Sequence, residues 1–291
     1  MEITVLGALG YVFTYSVFVA VISAIFSAQY QSARVFNVAF PGYAIFGAVL
    51  VHAMIRRFLV YPYYAIPFCI VIGALIGVLQ WKHIKVLQDR KLKPELVLLS
   101  CLGALIVLEG LAYTLSYFLR PIFYTYASTP DWYELYILNI PLIRIIAIAS
   151  LLLALIGIRT LEGKDTFRAI AENTDLAQIQ GIDTNGFNQK LWIISGTILC
   201  TAGSFIAVEQ PINIYSYTFT LFPVVLAGAF LGGIKSIRMA FIGGFSVAAL
   251  ETLTTMVLQQ YSLYLNEYAP LIPIAILSAT FFYKSHKKQI Q

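Results

Sequence analysis

Charged residues are scarce in this chain, and so are cysteine and histidine. Only 11% of its 291 residues are Asp, Glu, Lys or Arg, whereas roughly a quarter of the residues of a soluble domain carry charge. The 3 cysteines and 3 histidines are scattered, without the spacing of a disulfide framework or a metal site. These shortages argue against a soluble domain and against a metal-dependent enzyme, and we expect neither a metal centre nor a cofactor.

Long apolar runs dominate the rest of the sequence. Hydrophobic residues make up 59% of the chain and its mean hydropathy is +0.80, which predicts a polytopic membrane protein. Because backbone polar groups in lipid must be satisfied internally, we expect an all-α helix bundle whose spans need roughly 20 residues each. The candidate spans are 3–27, 35–55, 62–81, 96–118, 140–158, 190–209, 219–234, 237–257 and 268–283. The count is eight or nine, depending on whether 219–257 forms two spans or a re-entrant segment plus one.

The distribution of positive charge predicts the orientation of the chain. All but four of its 19 lysines and arginines fall on the same side of the nine predicted crossings as the polar loop at about 160–190; the exceptions are Arg56, Arg57, Arg120 and Arg144. Cytoplasmic loops carry such an excess. We therefore predict a single transmembrane domain over residues 1–291, in the cytoplasmic membrane, with its N-terminus outside and its C-terminus inside. Topology also accounts for the net charge of +5, so no nucleic-acid partner is expected.

The longest polar stretch, residues 164–184, is called here the surface segment. Helix-capping residue types occupy positions 173–175, and Gly181 can adopt the positive φ that ends a helix. The pattern predicts two short helices with a glycine stop, which would present an apolar stripe and charges to a partner. An interfacial helix without a partner is the alternative. The apolar positions at roughly helical spacing are Phe167, Ile170, Ala171 and Ala177.

Helix-breaking residues interrupt two of the apolar segments. Pro41 and Gly42 lie within the predicted span 35–55, and five glycines with Pro223 lie between residues 222 and 244. Broken helices are tolerated at membrane depth only where protein or a water-filled cavity satisfies the freed backbone groups. A pair of such breaks in the two halves of a transporter indicates a substrate pathway, and simple kinks are the alternative. Small residues at 195–196 and 202–204 predict close contacts between helices.

The surface segment resembles a loop of one transporter family. Its order Arg168-Ala169, Glu172-Asn173, Ala177 and Gly181-Ile182-Asp183 is similar to the cytoplasmic coupling loop of the branched-chain amino acid permeases of ATP-binding cassette importers. In that family the loop docks into a groove of the ATPase subunit.

The two interrupted segments resemble the same family. Residues 36–43 are similar to its asparagine-phenylalanine-alanine-histidine-glycine run, with Pro41 in place of the usual histidine. The glycine run 228–244, followed by Glu251, is similar to a further motif, with Lys235 and Arg238 where glycine and proline are usual. Three matches in the same order, spread over residues 36–251, are more specific than any one of them.

The resemblance implies a permease subunit that moves branched-chain or other hydrophobic amino acids across the membrane by alternating access. It also implies separate ABC ATPase subunits, a second permease subunit that is identical or a sister chain, and an extracytoplasmic substrate-binding protein. We expect no enzymatic activity from this chain itself. The run 157–165 departs from a phosphate-binding loop in its glycine spacing and has Asp165 where a hydroxyl is needed, so ATP hydrolysis is expected on a partner.

The resemblance further implies roles for individual residues. Arg168, Glu172 and Asn173 would orient the surface segment in the ATPase groove, while Ala177 and Gly181 would allow close backbone approach. The residues expected to line or shape the substrate pathway are Asn37, Phe40, Gly42, Gly228 and Glu251.

The same residues are compatible with other functions. Within the importer class the alternative substrates are urea, another amino acid or a small sugar, and outside it the alternative is an ATP-independent channel or secondary transporter. An ion-coupled carrier is expected to show several acidic groups at mid-membrane, and only Glu109 and Glu251 qualify. For Glu109 we predict a structural ion pair with Arg144, because an isolated charge inside the bilayer is costly.

Overall fold

The computed structural model describes residues 5–118, 135–137, 140–209, 217–261 and 268–289. Within these ranges the chain is the predicted all-α bundle, with one short antiparallel pair of strands, β1 (Tyr136–Ile137) and β2 (Ile140–Pro141). A 3-10 turn, Pro62–Ala65, leads into the third helix. The helices are α1 (Val5–Ala33), α2 (Phe40–Arg56), α3 (Ile66–Asp89), α4 (Pro94–Phe118), α5 (Leu142–Gly163), α6 (Asp165–Glu172), α7 (Thr174–Ile179), α8 (Thr184–Glu209), α9 (Tyr217–Gly232), α10 (Ile237–Tyr261) and α11 (Leu271–Gln289).

Each of the predicted spans coincides with one of these helices. In the described part of the chain, 6 helices are long and apolar enough to cross a membrane, namely α1, α3 with its preceding turn, α4, α5, α8 and α10. The helices α2, α9 and α11 are apolar but shorter. Residues 219–257 form two helices separated by a turn in which Gly233 adopts a φ of +101°. The predicted all-α membrane bundle is therefore confirmed, whereas Pro223 does not break its segment: it lies inside the continuous helix α9, and the turn comes only after Gly232.

The first helix lies inside the bundle, and α4 and α5 lie at its periphery. Residues 17–20 of α1 are all at most 1% exposed, so protein encloses every side of the middle of this helix. By contrast, Val107 of α4 and Leu153 of α5 are 60% and 69% exposed. Apolar side chains left uncovered on a membrane helix face lipid, so α4 and α5 contribute to the lipid-facing surface of the bundle.

Glycines bring α8 into backbone contact with α2 and α3. A Cβ placed on Gly196 would overlap the carbonyl oxygen of Gly73 in α3, and a Cβ on Gly203 would overlap Ala44 of α2. Small residues allow helices to approach this closely in membranes. The close contacts predicted for the small residues of α8 are thus confirmed, and α8 joins α2 to α3.

The position of the first break differs from the prediction. Pro41 does not interrupt a helix; α2 begins at Phe40, and Pro41 lies in its first turn, where a missing N–H leaves no hydrogen bond unmade. The irregular backbone is instead the stretch 34–39, between α1 and α2.

The predicted ion pair between Glu109 and Arg144 is wrong. No ion pair joins these residues, both of which lie in the described part of the chain. The reason is topological, since α5 packs on α1 whereas α4 packs on α2 and α3. The Arg144 guanidinium lies over Gly10 of α1, and its Nη2 donates to the carbonyl oxygen of Gly7 at 3.4 Å.

Candidate functional site

The surface segment folds as two short helices, α6 and α7, ended by a glycine, as the sequence predicts. Asn173 separates them, and its Oδ1 accepts hydrogen bonds from the backbone N–H groups of Asp175 at 3.0 Å and Leu176 at 3.1 Å. This satisfies two of the free N–H groups at the start of α7. Gly181 follows α7 with a φ of +84°, a conformation that favours glycine. Asn173 therefore acts within the chain as the N-cap of α7, at the point where α6 ends.

One face of the surface segment is packed against the chain's own helices. Phe167, Ile170 and Ala177 are at most 2% exposed, and the Phe167 ring lies 6.1 Å from the ring of Phe187 in α8. Phe167 also belongs to an apolar cluster with residues of α1, α5 and α10. The apolar stripe thus docks onto the bundle, and Ala177, expected from the resemblance to approach an ATPase, is covered by this chain.

The opposite face carries two apolar side chains that the sequence analysis did not single out. Leu176 is 52% exposed and Ile179 is 82% exposed, next to Gly181, whose α-carbon faces open space. Arg168 and Glu172 are also exposed. The signal that would have identified the two apolar residues is their spacing of three, which puts them on one face of α7.

Polar contacts tie the surface segment to α1 and α10. Arg34, just after α1, donates from Nη2 to the carbonyl oxygens of Ala171 and Glu172 at the end of α6. A cation at a helix C-terminus is favoured by the helix dipole. On the other side, the Glu162 carboxylate forms an ion pair with Arg238 of α10, and the Glu162 carbonyl oxygen accepts from Arg168 Nε at 2.7 Å. The segment is therefore attached to two helices of the bundle.

The first interrupted segment is held by a buried asparagine. Asn37 is 1% exposed; its Nδ2 donates to Gln29 Oε1 at 3.0 Å, and its Oδ1 accepts from the backbone N–H of Ala39 at 3.2 Å. These bonds supply the internal satisfaction that irregular backbone requires in a membrane protein. Asn37 thus supports the link between α1 and α2.

Stacked aromatic rings bring the two interrupted segments together. The Phe40 ring is 5.8 Å from that of Phe222 with an angle of 8° between the planes, and Phe36 stacks on Phe230 at 6.1 Å. Pairs of this geometry add attraction beyond the area they bury. If both segments line one substrate pathway, the start of α2 must contact α9, and it does. The sequence alone did not predict this contact.

The two candidate glycines serve helix packing at separate places. A Cβ on Gly42 would lie 2.8 Å from Leu108 Cβ of α4, and one on Gly228 would lie 2.7 Å from the backbone nitrogen of Gly244 in α10. Both positions therefore require glycine for close approach. Gly42 joins α2 to α4, whereas Gly228 joins α9 to α10.

Glu251 is a buried carboxylate within α10. It is 7% exposed, and the Tyr15 hydroxyl donates to its Oε2 at 3.5 Å. No basic side chain lies within ion-pair distance of it in the described part of the chain. A buried ionisable group in a membrane segment is by default a functional candidate.

The five candidate pathway residues do not form one pocket. Asn37 contacts Gln29 and Glu251 contacts Tyr15, and these two partners are about 21 Å apart along α1 at 1.5 Å per residue. Asn37 and Phe40 lie near the surface segment, while Glu251 lies deeper in the bundle. A pathway through them would run along α1.

These features define a class of protein, a polytopic α-helical membrane protein of the permease type, in which the irregular link 34–39 and the start of α2 pack against α9 inside the bundle. The chain belongs to the family of branched-chain amino acid transport system permease components, whose family model matches residues 5–281. It is similar to a protein of Methanocaldococcus jannaschii described as probable branched-chain amino acid transport permease protein LivH. The two are 29% identical over 262 residues, which cover 86% of this chain and 82% of that protein.

No solved structure matches the chain at a significant level. The family membership confirms the resemblance found in the sequence. It makes the chain a multi-pass, membrane-embedded component of a transport system, which works with other transport subunits.

Proposed function

We propose that this chain is a permease subunit of an ATP-binding cassette importer, and that the surface segment is the part that contacts a separate ATPase. The observation that carries the proposal is the exposed apolar pair Leu176 and Ile179, which stands beside the open backbone of Gly181. Exposed apolar side chains rimmed by polar residues mark protein contacts. That polar rim is supplied by four exposed residues, Arg168, Glu172, Asn173 and Asp175.

The attachments of the surface segment support a mechanical role. Arg34 connects it to the end of α1, and Glu162 connects it through Arg238 to the start of α10. A push on α6 and α7 by closure of the ATPase would therefore reach two helices that pack on each other and on α9. Movement of α1 and α10 would change the surroundings of Asn37, Phe40 and Glu251 and so alternate access to the two sides of the membrane.

The substrate and the remaining subunits follow from the same proposal. A branched-chain or other hydrophobic amino acid is the substrate best supported, because the family and the archaeal relative are described by transport of branched-chain amino acids. We place residues 1–291 in one transmembrane domain that pairs with a second permease chain and receives substrate from an extracytoplasmic binding protein. The surface segment and the C-terminus lie in the cytoplasm, and the N-terminus lies outside, in keeping with the positive charge distribution.

The decisive experiment is uptake of leucine, isoleucine and valine into proteoliposomes. They would contain this chain with its partner permease and ATPase, with the binding protein outside and ATP inside. We expect uptake that requires both ATP and the binding protein. Uptake by this chain alone without ATP would refute the importer. If the loaded binding protein stimulated ATP turnover but none of the three amino acids entered, the importer would stand and the substrate would be another.

An ion-coupled carrier is the second candidate, and the buried Glu251 carboxylate is the observation that favours it. A carrier of this kind would move substrate in response to a proton or sodium gradient without ATP. The same proteoliposomes distinguish the two, because an imposed gradient in the absence of ATP would drive uptake by a carrier and none by the proposed importer.

A further inference from the structure

A groove of about 450 Å³ opens between α5 and α10 at the end of the bundle that carries the surface segment. Its volume falls in the range of roughly 300–1,000 Å³ that is usual for sites of small molecules. Ile158 and Phe241 are at most 8% exposed and form its floor, whereas Leu155 and Ile242 are 49% and 55% exposed and form its sides. Its lining residues are Leu155, Ile158, Arg159, Arg238, Phe241 and Ile242.

The groove has a charged mouth and an apolar interior. Arg159 is four residues from the end of α5, and Arg238 is the second residue of α10. On each helix an apolar lining residue lies four positions deeper in the span, Leu155 below Arg159 and Ile242 below Arg238. Residues four apart lie on the same face about one turn apart, so both helices present a guanidinium at the surface with an apolar side chain beneath it.

The positive charge at the mouth is only partly neutralised by the protein. Glu162 binds Arg238 through both carboxylate oxygens, one to the Arg238 Nε and one to its backbone N–H at 3.3 Å. Arg159 is exposed and has no carboxylate partner within the described ranges. Two guanidiniums and one carboxylate leave one net positive charge. An arginine on a lipid-facing helix is costly unless its head reaches the interface or an anion.

We propose that this groove binds one anionic phospholipid. The phosphate lies between Arg159 and Arg238, because guanidinium groups bind phosphate in a bidentate manner, and an acyl chain covers Ile158 and Phe241. The single negative charge of a phosphodiester matches the single net positive charge at the mouth. Basic pockets between membrane helices are suited to anionic headgroups. The bound lipid would touch α5 and α10 close to Glu162, and so it would rest against the attachment of the surface segment.

The test is lipid retention by the purified transporter complex, measured by native mass spectrometry after incubation with equal amounts of phosphatidylglycerol and phosphatidylcholine. We expect preferential retention of one phosphatidylglycerol per chain. Arg159→Gln should lower that preference roughly fivefold, the effect of one basic residue near a membrane surface. The matched control is Arg90→Gln, since Arg90 is an exposed arginine of the α3–α4 linker outside the groove, and it should leave the preference unchanged.

A second variant separates the groove from general attraction to the surface. Ile242→Trp fills the groove without changing charge and should lower phosphatidylglycerol retention as Arg159→Gln does. Equal retention of the two lipids, an equal loss in Arg90→Gln, or full retention in Ile242→Trp would overturn the proposal. So would efficient disulfide formation between two copies carrying Ile242→Cys, because a second chain would then cover the groove. None of these outcomes depends on whether the transporter uses ATP.

Discussion

Truncation of Ile179 is the most direct test of the surface segment. Ile→Ala removes three carbon atoms, and each buried carbon of this kind contributes about 0.8 kcal/mol. Because Ile179 is 82% exposed in the free chain, its full burial against an ATPase would make the lost contribution about 2 kcal/mol. That value corresponds to an affinity roughly 30-fold weaker. Alanine has a higher helix propensity than isoleucine, so the lower affinity would not come from unfolding of α7.

The assay is a titration of labelled ATPase onto the permease reconstituted in lipid nanodiscs. Val86→Ala is the matched control, because Val86 is a 50% exposed apolar residue at the end of α3 and lies outside the surface segment; its Kd should equal that of the unaltered chain. An Ile179→Ala variant that binds the ATPase with unaltered affinity would refute the assignment of this face to the ATPase.

Four further substitutions test other parts of the reasoning. The Gly181→Trp variant should insert into the membrane normally but fail to co-purify with the ATPase. The Gly181→Ala variant has the same positive-φ strain without the bulk and should co-purify. A normal yield of ATPase with the Trp variant would contradict the coupling role of the surface segment. Arg34→Gln removes the charge at the end of α6 and should lower the amount of substrate moved per ATP hydrolysed. An unchanged ratio would show that the Arg34 contact does not transmit movement from the surface segment to α1. Gly228→Ala should lower stability by about 1–3 kcal/mol through overpacking, seen as a lower Tm in detergent, while Gly103→Ala, with open space around it, should stay within about 0.5 kcal/mol. Glu251→Gln should reduce uptake and leave ATPase binding intact, and normal uptake would remove this carboxylate from the pathway.

Hydropathy and local helix signals were sufficient to predict the elements of the fold. Lipid imposes long apolar runs and internal hydrogen bonding, so each span can be recognised from its own residues, without knowledge of the helices that it contacts. Asn173 and Gly181 are likewise local signals, and the structure places a cap and a positive φ where they predict them. The short helices α6 and α7 could therefore be predicted from one chain.

Contacts between distant elements could not be predicted in the same way. The failed pairing of Glu109 with Arg144 shows why, because membrane depth is readable from the sequence whereas the neighbour of each helix is not. The burial of Ala177 and the exposure of Ile179 could not be predicted for the same reason, because both depend on which face of α7 the bundle covers. The arginines at the mouth of the α5–α10 groove also come together only when the helices are packed.

The glycine contacts of α8 have a consequence for biosynthesis. Gly73 of α3 and Ala44 of α2 find their partners on α8, which begins at Thr184, long after α3 has ended at Asp89. At about 5–20 residues per second, the ribosome needs roughly 5–20 s to bridge that interval. During that time α2 and α3 lie in the membrane with their small-residue faces uncovered. Assembly of this half of the permease must then wait for the second half of its own translation, and the insertion machinery has to tolerate an unfinished bundle for that period.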